Sequence, residues 1–235
     1  MFTVYAHRGA SEYAPENTMS SFCLGLKMGA NGIETDVRRT KDGILVLFHD
    51  DTLARVTGEE GCVGDYTYEQ LLSMRVKNDK TGTEDIIVSF EDFLKYFGFR
   101  DLTFAIEIKE KGTERDIIDL LRRYGMREKT VITSFEFECI KAVKEIDPSY
   151  RVGHLASDFD SAAIENIKAI GGEQLCPQAK NVTAEKVSHW HEMGYSVRAW
   201  GVTNVRLMKN AYDCGVDGMT VNFPDLLVSY IISKN

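Results

Sequence analysis

Leu102-Thr103-Phe104-Ala105-Ile106-Glu107-Ile108-Lys109, the amphipathic stretch 113–124, and Thr130-Val131-Ile132-Thr133-Ser134 set the rhythm that decides the fold. The outer two runs are rich in β-branched and apolar residues, which suit a pleated, buried strand. The middle stretch places its apolar residues at helical spacing. Strand, helix and strand in that order make a unit whose two strands run parallel. The same rhythm predicts strands at 3–6, 32–36, 102–108, 130–134, 151–155, 173–177, 196–200 and 218–221. Helices are predicted at 17–28, 90–97, 113–124, 136–146, 161–170, 184–193, 205–214 and 225–232. Thr183 caps the start of one of these helices and Gly194 follows its end. Eight strand-helix pairs in 235 residues predict an α/β fold, a (β/α)8 TIM barrel, as a single domain over residues 1–235.

One connection breaks the rhythm. The chain between the second strand and the helix at 90–97 is far longer than an ordinary strand-to-helix loop. Its first part reads as a hairpin, because Asp42-Gly43 sits between two extended segments and Gly tolerates the positive φ of a two-residue turn. With Lys41 facing Ile44, counting outward puts Arg38 opposite Leu47, Val37 opposite Phe48 and Asp36 opposite His49. The remainder, about 50–88, contains Gly58, Gly61, Gly64 and Gly82 with Tyr66 and Tyr68. It is predicted to form a small inserted lobe overhanging the barrel mouth.

Composition narrows the function. A net charge of −8 excludes the basic stripe of a nucleic-acid surface. No apolar run approaches the roughly 20 residues of a membrane span, and the amino terminus leaves no room for a signal peptide before the first strand. The five cysteines are odd in number, scattered and without Cys-x-x-Cys spacing, so neither a disulfide framework nor a zinc site is indicated. A cytoplasmic protein is expected.

In a barrel of this kind the chemistry gathers at the carboxyl ends of the strands. His7 and Arg8 follow the first strand, Glu34 and Asp36 end the second, Glu107 and Lys109 end the third, and Trp200 ends the seventh. Alternation turns Glu34 with Asp36, and Glu107 with Lys109, to the barrel interior. Three carboxylates on one rim repel unless something positive sits among them. A hard divalent cation, Mg²⁺ or Ca²⁺, meets that need with oxygen ligands. Arg8 and Lys109 add fixed charge suited to a phosphate. His7 and His49 are candidate general acid and base. Taken singly these residues have bland readings: strand-end charges are commonly solvated and a strand Trp is commonly core. Convergence on one rim outweighs them. His154, His189 and His191 are assigned no role.

His7-Arg8-Gly9, Pro15-Glu16-Asn17-Thr18, Glu34-Thr35-Asp36-Val37, Asp42-Gly43, His49-Asp50, Arg55-Val56-Thr57-Gly58, Glu107-Ile108-Lys109, Trp200-Gly201-Val202-Thr203-Asn204 and Asp217-Gly218 occur in order along the chain. Together they resemble the glycerophosphodiester phosphodiesterase family. The resemblance implies a metal-dependent barrel that cleaves small-molecule glycerophosphodiesters to glycerol 3-phosphate and an alcohol. It implies Glu34, Asp36 and Glu107 as metal ligands, His7 and His49 as acid and base, and Arg8 and Lys109 on the phosphate. It further implies attack by the substrate's own 2-hydroxyl, giving a cyclic phosphate that water opens. Trp200, with Tyr66 and Tyr68, offers aromatic faces for a cationic head group. The chain departs from the family pattern at Val221-Asn222-Phe223-Pro224, where Asp is common in place of Asn222. Two alternatives stand beside this reading. One is a phospholipase-D-like enzyme acting on lysophospholipids; the other is a metal-dependent isomerase or aldolase of sugar phosphates.

Overall fold

The computed structural model describes residues 2–234. The chain begins β1 (Thr3–His7), α1 (Met19–Lys27), β2 (Gly32–Arg39) and β3 (Leu45–Leu47). The short elements α2 (Ala54–Thr57), α3 (Tyr68–Leu72), β4 (Val76–Asn78) and β5 (Thr83–Asp85) follow, before α4 (Phe90–Phe97). From there strand and helix alternate strictly. These elements are β6 (Thr103–Ile108), α5 (Glu114–Arg123), β7 (Thr130–Ser134), α6 (Phe137–Ile146), β8 (Arg151–Ala156), α7 (Ser161–Ala169), β9 (Gln174–Pro177), α8 (Ala184–Glu192), β10 (Ser196–Val202), α9 (Val205–Asp213), β11 (Gly218–Val221) and α10 (Pro224–Lys234).

Eight of these strands pair in parallel in the order β1-β11-β10-β9-β8-β7-β6-β2, and β1 pairs with β2 to close the ring. The protein is therefore a TIM barrel, as the alternation predicts. The outward faces of β2 and β6 carry Ile33, Val37, Phe104, Ile106 and Ile108, which pack on Phe22, Phe90, Phe93 and Phe97 of the surrounding helices. Each such fully buried side chain stabilises the fold by roughly 1.5–3 kcal/mol relative to exposure. The inward faces are left to other residues, and at the carboxyl ends of β1, β2 and β6 those residues are titratable: His7, Glu34 with Asp36, and Glu107.

β2 outruns its neighbours, and that extra length builds the site. Its first half pairs with β1 from Gly32 to Glu34, while Val37 to Arg39 pair antiparallel with β3 where β1 has ended. The hairpin exists, but its register differs by one residue from the predicted one. Val37 faces Leu47, Arg38 faces Val46 and Arg39 faces Leu45. The loop holds three residues, not two. Thr40 N donates to Ile44 O at 2.9 Å, and Gly43, at φ +85°, takes the left-handed position after the turn. Asp42 has a second task that sequence spacing does not show: its carboxylate accepts from Thr40 Oγ1 and, across the lobe, from Tyr68 N. Consequently Phe48, not His49, lies opposite Asp36, with Phe48 N donating to Asp36 O at 3.1 Å. His49 follows just past the paired stretch and still turns into the barrel mouth.

The loop assignment has a measurable consequence. A Cβ on Gly43 would meet nothing within 4 Å, so the cost of substitution there is conformational. Gly43→Val is expected to destabilise by about 1–3 kcal/mol, the range for a side chain forced into a sparsely populated backbone region. Gly43→Asn should lose less, because Asn tolerates the left-handed region. Thermal melts of the two variants decide it: equal melting temperatures would contradict a left-handed Gly43.

Residues 50–88 pack around their own cluster, including Phe48, Leu53, Val63, Leu71 and Ile87. The segment is fastened to the loop after β1. Asn78 Nδ2 donates to Ser11 O and Ala14 O, and Lys80 pairs with Glu12 at 2.6 Å.

Candidate active site

Strand register assembles the centre of the site. Parallel pairing sets His7 beside Glu34, and Asp36 beside Glu107. Period-two alternation then points all four side chains inward. Glu34, Asp36 and Glu107 each offer a carboxylate oxygen within 4.8 Å of the others, and all three residues are buried. Lys109 Nζ lies 2.5 Å from Glu107 Oε1 and 3.3 Å from Asp36 Oδ1, while Arg8 Nε lies 3.2 Å from Asp36 Oδ2. Asp36 is thus the hub between two cations, and Asn17 Nδ2 adds a hydrogen bond to its Oδ2 at 2.9 Å.

The turn that delivers Arg8 is tight. Arg8 and Asn17 both adopt positive φ, +55° and +57°, and Arg8 O accepts from Asn17 N. Asn17 Oδ1 accepts in turn from Thr35 Oγ1 at 2.8 Å, tying the loop to β2. Gly9 at φ +84° lets this turn lie against α1, since a Cβ there would come within 2.3 Å of Ser21.

Electrostatics divide the three carboxyls. Burial raises Glu34, and the charges of Asp36 and Glu107 raise it further, to about 8. Burial and Asp36 likewise push Glu107 up to about 7, against the pull of Lys109. Burial also works to raise Asp36, but Lys109, Arg8 and His49 overcome it and hold this carboxyl well below its ordinary range. Two of the three therefore cling to protons that a cation would replace. Asp36 Oδ1 is buried without an aligned hydrogen bond. The all-oxygen donor set fits a hard metal ion, which Glu34, Asp36 and Glu107 could hold.

The two histidines differ in their supports. His7 Nδ1 is 2.5 Å from Asn222 Oδ1, which makes Nδ1–H the donor and leaves Nε2 facing Glu34 at 3.8 Å. Burial lowers its pKa to about 3. Asn222, the position that departs from the family pattern, thus does the orienting itself. His49 Nδ1 meets the Asp50 carboxylate at 2.6 Å. Burial lowers its pKa too, with Asp36 opposing.

A cavity of about 180 Å³ is lined by His7, Arg8, Glu34, His49, Glu107 and Trp200, with Phe135, Leu155 and Arg198 completing the wall and floor. Trp200 donates from Nε1 to Ala156 O at 3.0 Å and meets the Phe135 ring edge-on at 4.8 Å. The structure thus gathers the predicted residues around one cavity: six line it, and Asp36 and Lys109 adjoin it through their ion pairs with Arg8 and Glu107. Tyr66 and Tyr68 lie elsewhere; they pack on the apolar cluster of the lobe and hydrogen-bond to Glu60 O and Ser89 N. His189 and His191 sit on α8, and His154 packs between Phe137 and Phe159 outside the cavity.

Sequence reading gave no role to several residues that shape this site. Glu16, Asn17, Asp50 and Arg55 belong to motifs it recognised. Arg198 gave a fainter signal, a single charge between Val197 and Ala199, two residues before Trp200 and on the same strand face. Its guanidinium is fully buried, donating to Gln174 Oε1 and Thr220 Oγ1 and lying 5.3 Å from the Tyr5 ring centre.

Comparison with known proteins gives the family and supports the fold. Residues 7–226 match the model of the glycerophosphoryl diester phosphodiesterase family. A glycerophosphodiester phosphodiesterase of Caldanaerobacter subterraneus subsp. tengcongensis is 32% identical over 239 aligned residues, covering 97% of each chain. Among solved structures, a phosphodiesterase from Oleispira antarctica in complex with the product sn-glycerol-3-phosphate superposes with a TM-score of 0.88. It is 26% identical, covering 98% of this chain and 96% of that one. A putative glycerophosphodiester phosphodiesterase from Galdieria sulphuraria gives a TM-score of 0.88 at 25% identity, covering 99% and 98%. The chain belongs to the glycerophosphoryl diester phosphodiesterase family, enzymes that hydrolyse glycerophosphodiesters.

Proposed function

We propose that the protein releases glycerol 3-phosphate from glycerophosphodiesters by metal-assisted acid-base catalysis. The observation that carries this reading is the meeting of three buried carboxylates, two cationic side chains and two histidines around one small cavity. Glu34, Asp36 and Glu107 would hold a divalent cation, Mg²⁺ or Ca²⁺, which would supply positive charge to the bound phosphate. Arg8 and Lys109 hold the phosphate from the side, with Asp36 fixing both of them.

His7 and His49 move the protons. His7 Nε2, left without a proton by the Asn222 contact, takes the proton of the glycerol 2-hydroxyl as that oxygen bonds to phosphorus. The bond from phosphorus to the head-group alcohol breaks, and His49, its imidazolium supported by Asp50, protonates the departing oxygen. In the second step His49 takes a proton from water, the water oxygen opens the cyclic phosphate, and His7 returns its proton to the 2-oxygen. Glycerol 3-phosphate and a free alcohol leave, and both histidines regain their starting states.

Trp200 and Phe135 form the apolar wall against which the glycerol or head group rests. The small cavity and charged lining favour a water-soluble diester over a lysophospholipid. The five cysteines are free, which suits a reducing, cytoplasmic setting. Among the described residues no helix is long and apolar enough to cross a membrane.

A head-group panel tests the reading. Glycerophosphocholine, glycerophosphoethanolamine, glycerophosphoglycerol and lysophosphatidylcholine are each supplied, with coupled detection of glycerol 3-phosphate from the deacylated diesters and of free choline from lysophosphatidylcholine. Release from the deacylated diesters, with little turnover of the lysophospholipid, is the expected pattern. Turnover of the lysophospholipid alone, or of none, would overturn it.

A further inference from the structure

Two of the proposed functional side chains come from loops that do not adjoin in sequence. Arg8 stands in the loop after β1, and His49 in the segment leading into the lobe. A single guanidinium joins them. Arg55 Nε donates to Asp50 Oδ2 at 2.5 Å, while its Nη1 and Nη2 donate to the two oxygens of Glu16 at 2.8 and 2.7 Å. Asp50 uses its other oxygen on His49 Nδ1 at 2.6 Å, and Glu16 Oε1 also accepts from Arg8 Nη1 at 2.9 Å. The order is unbroken: His49, Asp50, Arg55, Glu16, Arg8, Asp36.

A planar fork with fixed donor directions suits this task in a way that a lysine ammonium does not. One edge meets Glu16 with two parallel bonds, and the third donor is left to meet Asp50. The Arg55 side chain is about half exposed, at 48%. Ion pairs so exposed contribute little to stability, so the arrangement is better explained by geometry than by holding the fold together. Glu16 and Asp50 are each divided between Arg55 and one functional side chain, so moving Arg55 disturbs both ends together.

We propose that Arg55 is a positioning residue: through Asp50 it sets the ring plane of His49, and through Glu16 it sets the guanidinium of Arg8, so that proton donor and phosphate clamp keep one relative geometry. This rests on the proton-transfer role of His49 given above. Arg55 lines no wall of the cavity and touches no reacting atom. Its loss therefore acts through the two residues it aligns. The Glu16 and Asp50 contacts should behave as one unit, because breaking either frees the same guanidinium.

The test compares Arg55→Gln, Arg55→Ala, Arg55→Lys, Glu16→Gln and the Glu16→Gln/Arg55→Gln pair with His49→Ala, using glycerol 3-phosphate release from a glycerophosphodiester and circular dichroism to confirm folding. Arg55→Gln is expected to lower kcat by about 10–100-fold, the usual range for removing a partner that orients a site residue. Arg55→Lys should recover only part of that loss. The double variant should be no worse than the poorer single one, and guanidinium ion at millimolar concentration should partly rescue Arg55→Ala where equal KCl does not. Fully additive losses, absence of guanidinium rescue, or an Arg55→Gln rate equal to wild type while His49→Ala falls would each overturn the positioning role. A His49→Ala rate equal to wild type would instead remove the proton-transfer reading itself, and the purpose of the strap with it. Should Arg55→Gln fail to fold, Glu16→Gln and the guanidinium rescue of Arg55→Ala read the same contact.

Discussion

Asp36→Asn is expected to lower activity by about 10²–10³-fold, the scale of losing one preorganised electrostatic contact in a site of this kind. The geometry explains the size. Asp36 is fully buried, lies between Arg8 and Lys109, and contributes one of the three carboxylates suited to a cation. Neutralising it leaves two cationic side chains without their shared counter-charge. Breaking a buried pair by removing one partner typically costs about 3–5 kcal/mol of stability. The Asn variant keeps the shape and retains an oxygen for Asn17, so part of the folding loss should be spared. Melting temperature and glycerol 3-phosphate release are measured on the same preparation. A variant that melts well below wild type yet turns over at a wild-type rate would show that Asp36 is structural alone.

The second large effect separates the histidines. His7→Ala and His49→Ala should each lower kcat by about 10²–10⁴, the range for a general acid or base. KM should change less, because Arg8 and Lys109 remain in place. A p-nitrophenyl leaving group needs little protonation. With release of p-nitrophenol as the readout, it should rescue the first step in His49→Ala, which has lost the acid, and leave His7→Ala impaired. Rescue of His7→Ala alone would reverse the two assignments. Equal rescue, or losses confined to KM, would show that both rings position substrate and that proton transfer belongs elsewhere.

How much of this was legible in the sequence depends on which physical signal carried it. Barrel strands announced themselves because each is short, β-branched and separated by a helix-length amphipathic stretch. The strand 130–134 and the helix 90–97 match the structure to the residue. Glu34, Asp36, Glu107 and Lys109 could be placed because alternation along a strand is local. The hairpin register could not, because it turns on one extra loop residue. Asp42 is held by Tyr68 N, a partner 26 positions away, and no local rule weighs that contact against a two-residue turn. The slip moved His49 off the position directly across from Asp36, yet the chain's exit from β3 still brings it into the cavity.

Residues recruited from loops were hardest to read. Asn17 and Asn222 approach the site through turns whose direction depends on packing, and both act through side-chain amides that have many possible partners. Arg198 was hidden for another reason. An arginine in a strand normally suggests a solvent-facing side, and only barrel closure, with Gln174 and Thr220 opposite, makes an interior position tolerable. The aromatic residues Tyr66 and Tyr68 misled in the reverse sense, since their rings serve the small core of the lobe.

The most direct test of the account is the initial rate of glycerol 3-phosphate release from glycerophosphoethanolamine, followed as free Mg²⁺ or Ca²⁺ is raised from chelator-buffered zero. The account predicts no turnover in chelator, a saturable rise on adding the cation, and a strongly weakened response in Asp36→Asn. Full wild-type turnover in excess chelator would contradict it.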